Sequence, residues 1–147
     1  MALRMVARPE KCPPWVADLI VDLDTKCFPE DYRVKPEGAY WWIEEERGEP
    51  VAFAGMKVCA AEYNRGLGYL SRAGVLPKYR GQGRQRRLIR ARIALARRLN
   101  LLEVVTYVMA ANLASANSLI GVGFRLYSPA ERWGGKDALY FRRRLGG

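Results

Sequence analysis

The sequence predicts a mixed α/β domain, one layer of sheet with helices packed on its faces. Three observations carry that expectation. Stretches of strand and helical character follow one another in the order strand, helices, hairpin, strand, helix, strand, helix, strand. The 147 residues suit a single domain, residues 1–147, large enough to bury a real core. Half of them are hydrophobic and 27% are charged, an ordinary balance for a packed globular chain.

Leu3 to Ala7 reads as a first strand, and Pro13-Pro14 interrupts the chain after it. From Trp15 to Cys27 the apolar residues Val16, Leu19, Ile20 and Leu23 recur at helical spacing, and Pro14 suits a first helical turn. Asp18, Asp22 and Asp24 sit mostly on the other face. Cys27-Phe28-Pro29-Glu30-Asp31-Tyr32 ends that helix and opens a loop or a short second helix. Tyr40 to Ile43 and Val51 to Val58 flank Arg47-Gly48-Glu49-Pro50, which predicts a hairpin. Its clustered aromatics are read as core or groove wall.

Ala61 to Arg65 reads as a turn, and Tyr69 to Leu76 as the central strand. Arg84 to Leu99 is helical. Stepping by 100° per residue, Leu88, Ile89, Ile93, Leu95, Ala96 and Leu99 share one broad arc. Arg92 falls inside that arc, which predicts that its head snorkels to water or pairs with a carboxylate. Leu101 to Val108 is a buried strand and Ala110 to Ile120 a short helix with Ala111-Asn112 at its start. Arg125 to Tyr127 continues after a turn, and Ala138 to Arg143 is a last strand after Gly134-Gly135.

Composition narrows the chemistry. There is no histidine, which removes the commonest general base, the usual metal ligand and any Ser-His or Cys-His nucleophile. The cysteines, Cys12, Cys27 and Cys59, are odd in number and widely spaced, which argues against a disulfide framework and a metal site. No apolar run approaches the roughly 18 residues of a membrane span, and the first residues do not form a signal peptide. We expect a cytoplasmic protein with no membrane partner. The formal charge of +10 points to an anionic partner, and eight arginines fall between Arg80 and Arg98.

Gly68 to Asn100 is the stretch that carries most chemistry. A strand feeds a helix through Arg80-Gly81-Gln82-Gly83-Arg84-Gln85, so unpaired N–H groups converge where the helix dipole is positive. Gly81 and Gly83 let an anion approach the main chain, and Arg80, Arg84, Arg86 and Arg87 add full charges. Those features suit a phosphate or pyrophosphate. Gly-Lys-Ser/Thr is missing for a P-loop, as is the third glycine of a dinucleotide fold.

The string Arg80-x-x-Gly83-x-Gln85 after a strand resembles the acyl-coenzyme A loop of the GCN5-related N-acetyltransferases (GNAT), with Gln85 where the family has a small residue. A second match follows at a compatible distance: Asn112, Ser115, Gly123 and Phe124 fall at the family's Asn, small-residue and Gly-Phe positions. Specific resemblance covers roughly Tyr69 to Leu145, and the first half agrees in element order. It implies a mixed, mostly antiparallel sheet with a splayed central strand pair and helices on both faces. It implies acetyl-coenzyme A (acetyl-CoA) as co-substrate, with no metal. The pantetheine arm would bond main-chain groups of Ala73, Gly74 and Val75, and the pyrophosphate would sit on Gly81, Gln82, Gly83, Arg84, Gln85 and Arg86 beside Arg80. Asn112 would meet the pantetheine arm, with Ser115 nearby, and the Val75 N–H would face the acetyl oxygen.

The reaction so implied is direct attack of a primary amine on the thioester. Its acid and base depart from the family, which often has a tyrosine where this chain has Leu119 and in some members a glutamate where it has Tyr107. Candidate proton carriers are Tyr107, Tyr127, Glu30, Asp31, Glu103 and water. The acceptor amine is not coded in the sequence. Competing readings are an acyltransferase acting on a nucleic-acid- or nucleotide-linked amine, a basic nucleic-acid-binding protein without catalysis, and a coenzyme binder that has lost turnover. The resemblance also allows a homodimer.

Overall fold

A computed structural model describes residues 2–59 and 66–146. The turn expected at Ala61 to Arg65 lies outside the described residues. Seven strands form one sheet in the order β1-β2-β3-β4-β5-β7-β6, where β1 is Ala2–Ala7, β2 Tyr40–Glu46, β3 Glu49–Cys59, β4 Leu67–Val75, β5 Glu103–Met109, β6 Arg125–Leu126 and β7 Ala138–Arg144. All pairings are antiparallel except β4 with β5. The helices are α1 (Pro14–Cys27), α2 (Arg84–Arg98) and α3 (Leu113–Gly121).

The period-two alternation of β2 and β3 divides the core between two faces. Trp41, Ile43 and Phe53 meet Val16, Ile20 and Leu23 of α1. Trp42, Ala54 and Met56 turn the other way and pack with Leu88, Ile89 and Ile93 of α2 and Leu119 of α3. Trp41 and Trp42 are therefore core. The hairpin closes through Arg47 and Gly48, both at positive φ (53° and 79°), the pattern of a two-residue type I′ turn.

Two local features position the site. Between Ala54↔Ala73 and Met56↔Leu70 the β3–β4 register shifts, so Gly55 faces both Ser71 and Arg72, a β-bulge in β4. A Cβ on Gly55 would stand 2.6 Å from Ser71 Oγ and from the Trp41 ring, so only glycine fits opposite the bulge. The second feature is the short helix. It begins at Leu113 rather than Ala110, because Asn112 leaves helical geometry to cap it, its Oδ1 accepting from Ser115 N–H at 3.2 Å. The segment after Cys27 is loop, not a second helix.

Candidate active site

β4 and β5 pair only through Leu67↔Glu103, Gly68↔Val104 and Tyr69↔Val105. Beyond that β4 runs on to Val75 and β5 to Met109 without a ladder between them. Where the pairing stops, Thr106 Oγ1 donates to Leu70 O at 2.8 Å, so a hydroxyl satisfies a carbonyl the ladder has left. On its other edge β4 stays with β3, and Leu76 N–H donates to Val51 O at 2.9 Å. Strand alternation then turns Gly74 toward β3 and aims the main-chain groups of Ala73 and Val75 into the gap.

This corrects the expectation for Gly74, which presents no main-chain group to the gap. Its task is close approach: a Cβ there would stand 2.9 Å from Cys27 Sγ and 3.0 Å from the Phe53 ring. Val75 O is taken by Arg80 Nε at 2.8 Å, which leaves the Val75 N–H as its gap-facing group.

The gap opens into a cleft of about 1170 Å³ that passes from the α1 face to the start of α2. At that end Gly81 and Gly83 have φ of 78° and 77°, and Gly83 precedes the helix. Arg87 N–H is bonded to Gly83 O at 3.1 Å, so the N–H groups of Arg84, Gln85 and Arg86 have no carbonyl within the helix. Gln85 Nε2 donates to Ser115 Oγ at 3.0 Å and Ser115 N–H to Asn112. Gln85, Ser115 and Asn112 are thus brought together on one wall. Gln85 fits where a small residue was expected because its side chain is turned aside onto α3.

The arginines divide. Arg84 is 3% exposed and turned inward, ion-paired with Glu46 and with its Nε 3.7 Å from Glu44, which is fully buried. Arg87 also reaches Glu44, at 3.0 Å. The expected Arg84 side-chain charge at the loop is therefore spent on fastening α2 to β2, and Arg84 offers only its N–H. Arg80 and Arg86 remain exposed at the mouth. The inward pairs were illegible in the helix itself, because their carboxylates lie in β2.

Of the proton carriers, Tyr107 lines the cleft. It shares a hydrogen bond with Tyr69, whose hydroxyl is pushed up to about 12, chiefly by burial. Both rings meet Trp133 edge-on, with centroids 5.1 Å and 5.3 Å away. Tyr127 stands apart: it packs on the outer side of Tyr140, under Arg142, and lines a smaller pocket. Its hydroxyl is raised by burial. Glu30 is exposed and does not line the cleft, and Glu103 sits at the paired end of β5 beside Arg144. Asp31 does line it, but its hydrogen bond from Arg72 holds its carboxyl below the usual range and makes it a weaker base.

Arg72 was missed by the sequence reading. Its guanidinium donates to Asp24 Oδ1 at 2.6 Å, Asp31 Oδ2 at 2.8 Å and Tyr32 O at 3.1 Å, and lies 4.4 Å from the Phe28 ring centroid. Asp24 Oδ2 also accepts from Val34 N–H at 3.2 Å. One side chain at the β4 bulge thereby fastens the loop that walls the cleft on the α1 side. Ser71 Oγ, at the same bulge, is buried without a hydrogen-bond partner among the described residues. Among those residues there is also no cluster that could hold a metal, and no helix is long and apolar enough to cross a membrane.

The sequence matches the acetyltransferase (GNAT) family over residues 7–124. The chain belongs to that family. No curated protein matches the sequence. Solved structures agree in fold: the Salmonella typhimurium protein yncA, determined with its cofactor acetyl-CoA, superposes with a TM-score of 0.72 at 20% identity, over 99% of this chain and 94% of that one. A ribosomal-protein-alanine N-acetyltransferase from Brucella melitensis gives 0.75 at 17% identity over 99% and 100%. The Escherichia coli ribosomal-protein-S18-alanine N-acetyltransferase gives 0.73 at 15% over 99% and 97%. Family membership makes the splayed β4–β5 pair a family feature of this GNAT chain, with a mixed, mostly antiparallel sheet and helices on both faces.

Proposed function

We propose that this GNAT chain transfers an acetyl group from acetyl-CoA to a primary amine by direct attack on the thioester. The observation that carries this reading is the gap after Tyr69 and Val105, which leads from the main chain of Ala73 and Val75 to the unpaired N–H groups at the start of α2. An extended pantetheine arm fits the gap as a surrogate strand. The pyrophosphate fits Gly81 to Arg86, where the helix dipole, Arg80 and Arg86 favour it. Asn112 and Ser115 border the arm's path.

The amine nitrogen attacks the carbonyl carbon, the Val75 N–H donates to the oxygen as it gains charge, and the carbon–sulfur bond breaks. The Tyr107 hydroxyl gives its proton to the thiolate as the carbon–sulfur bond breaks, and the proton that the nitrogen sheds on becoming an amide returns through water and Tyr69 to the Tyr107 phenolate. The ammonium of the acceptor loses its proton to water before attack, since Asp31, the one carboxylate lining the cleft among the described residues, is held ionised by Arg72. The loop fastened by Arg72 and the Trp133 segment frame the acceptor.

The test is thermal unfolding with and without acetyl-CoA, for the natural chain and for Gly83→Glu. Ligand at a hundredfold excess over its Kd stabilises by about 2.7 kcal/mol, roughly 5–10 °C in Tm for a chain of this size. The variant places a carboxylate, at a strained positive φ, where the pyrophosphate would lie, and is expected to lose the shift. No shift at millimolar acetyl-CoA would overturn the reading.

A further inference from the structure

Arg92 contradicts both ways the sequence offered of accommodating it. It is 2% exposed, so it does not snorkel, and it makes no ion pair among the described residues. Its Nε donates to Leu88 O at 3.2 Å and its Nη1 to Gly55 O at 3.1 Å, while Nη2 has no partner among the described residues. Burial alone pushes it down to about 9, which still leaves it cationic at neutral pH.

Part of its role is structural. The bulge leaves Gly55 O facing two residues of β4, and Arg92 satisfies it. That task needs one neutral donor; a guanidinium brings five donors and a charge. A buried cation without a counter-ion costs stability, so packing does not account for the charge.

Position does. Gly55 is next along β3 to Ala54, the partner of Ala73. The guanidinium therefore lies at the level of the gap-facing main chain of Ala73. It lines the same cleft, about 12 Å along α2 from the helix start. Leu70, Ala73, Leu88, Ile89 and Val108 line the same cleft and belong to one apolar cluster, and the Thr106 hydroxyl is already engaged. A methyl group gains nothing from a cation at the end of such a chamber. A carboxylate there is matched by the planar fork, and methylenes leading to it are matched by the walls.

We propose that Arg92 selects an acyl-CoA whose short acyl chain ends in a carboxylate, of the malonyl or succinyl class, over its neutral counterpart. This rests on the coenzyme reading above and replaces only the acyl group. The amine still attacks the thioester carbon, the carbon–sulfur bond still breaks, and the distal carboxylate stays on Arg92 throughout.

The test is calorimetric titration of the full chain with coenzyme A, butyryl-CoA and succinyl-CoA, and with the propionyl and malonyl pair. The expected result is at least tenfold tighter binding of one dicarboxylic member than of its neutral match. Arg92→Met is expected to lose that preference and Arg92→Lys to keep part of it. Should the methionine variant fail to fold, the natural chain and the lysine variant decide. Equal binding of neutral and carboxylate-ended donors, or a preference that survives in Arg92→Met, would overturn the assignment while leaving coenzyme binding intact. Failure to bind coenzyme A itself would overturn both.

Discussion

Replacing Arg72 by methionine should unfasten the loop that follows α1 and leave a carboxylate stranded. Asp24 is 1% exposed, and its partners are Arg72 at 2.6 Å and the Val34 N–H at 3.2 Å. Removing one member of a buried ion pair costs about 3–5 kcal/mol, because the other charge stays buried. The Arg72–Asp31 contact adds little, since Asp31 is 44% exposed and such pairs contribute at most about 1 kcal/mol. Against a total stability of about 5–15 kcal/mol the loss is large. With a urea m-value near 2 kcal/mol/M, the midpoint falls by roughly 2 M. Arg72→Met combined with Asp24→Leu should recover most of it, since the stranded charge goes too. A single-variant loss under about 1 kcal/mol, or a double variant no more stable than the single, would refute the argument.

The remaining predictions use the same denaturation and turnover assays. Tyr107→Phe should lower kcat by about 100-fold with little change in KM for acetyl-CoA, and a kcat within twofold of the natural value would remove the residue from the mechanism. Gly74→Ala should cost about 1–3 kcal/mol in urea, because the new Cβ meets Cys27 Sγ at 2.9 Å; a neutral change would show that α1 yields freely. Asn112→Ala should cost about 1 kcal/mol through the lost cap, and an unchanged midpoint would contradict the cap. Asp31 has its pKa lowered by Arg72, so its contribution is present above the ordinary value of 3.8 and is lost as pH falls through the lower, folded value. The gap in stability between the natural chain and Arg72→Met should therefore narrow in that acid range; a constant gap would argue against the Asp31 contact.

What the sequence made legible was local. The Arg80 to Gln85 loop and the period of α2 are each written within a few residues, and each fell where its spacing put it; the helix start near Asn112 was misplaced by three residues, because its cap went unread. What stayed hidden depends on partners far along the chain. Arg84 looked like a phosphate ligand because its carboxylates, Glu44 and Glu46, belong to a strand some forty residues earlier. Tyr69 went unnoticed because only the parallel register of β4 with β5 sets it beside Tyr107. Arg72 owes its reach into the α1 side to the bulge, an irregularity that alternation cannot foresee. Tyr127 and Glu103 were plausible by residue type; strand order sets Tyr127 apart from the cleft, and pairing with Leu67 at the closed end of β5 sets Glu103 apart.

The interruption between β4 and β5 also bears on solubility. A seven-stranded sheet normally exposes two borders, and this one has β1 and β6 at its ends and two further borders in its middle. Free strand borders recruit extended segments from other chains, and proteins blunt them with charge, proline or cover. On the proposed function the inner borders stay accessible, because covering them would close the route to the thioester. On that reading an extended coenzyme arm and a stray peptide strand ask for the same groups of Ala73 and Val75. On the proposed function, bound coenzyme would therefore also guard those borders against strand capture.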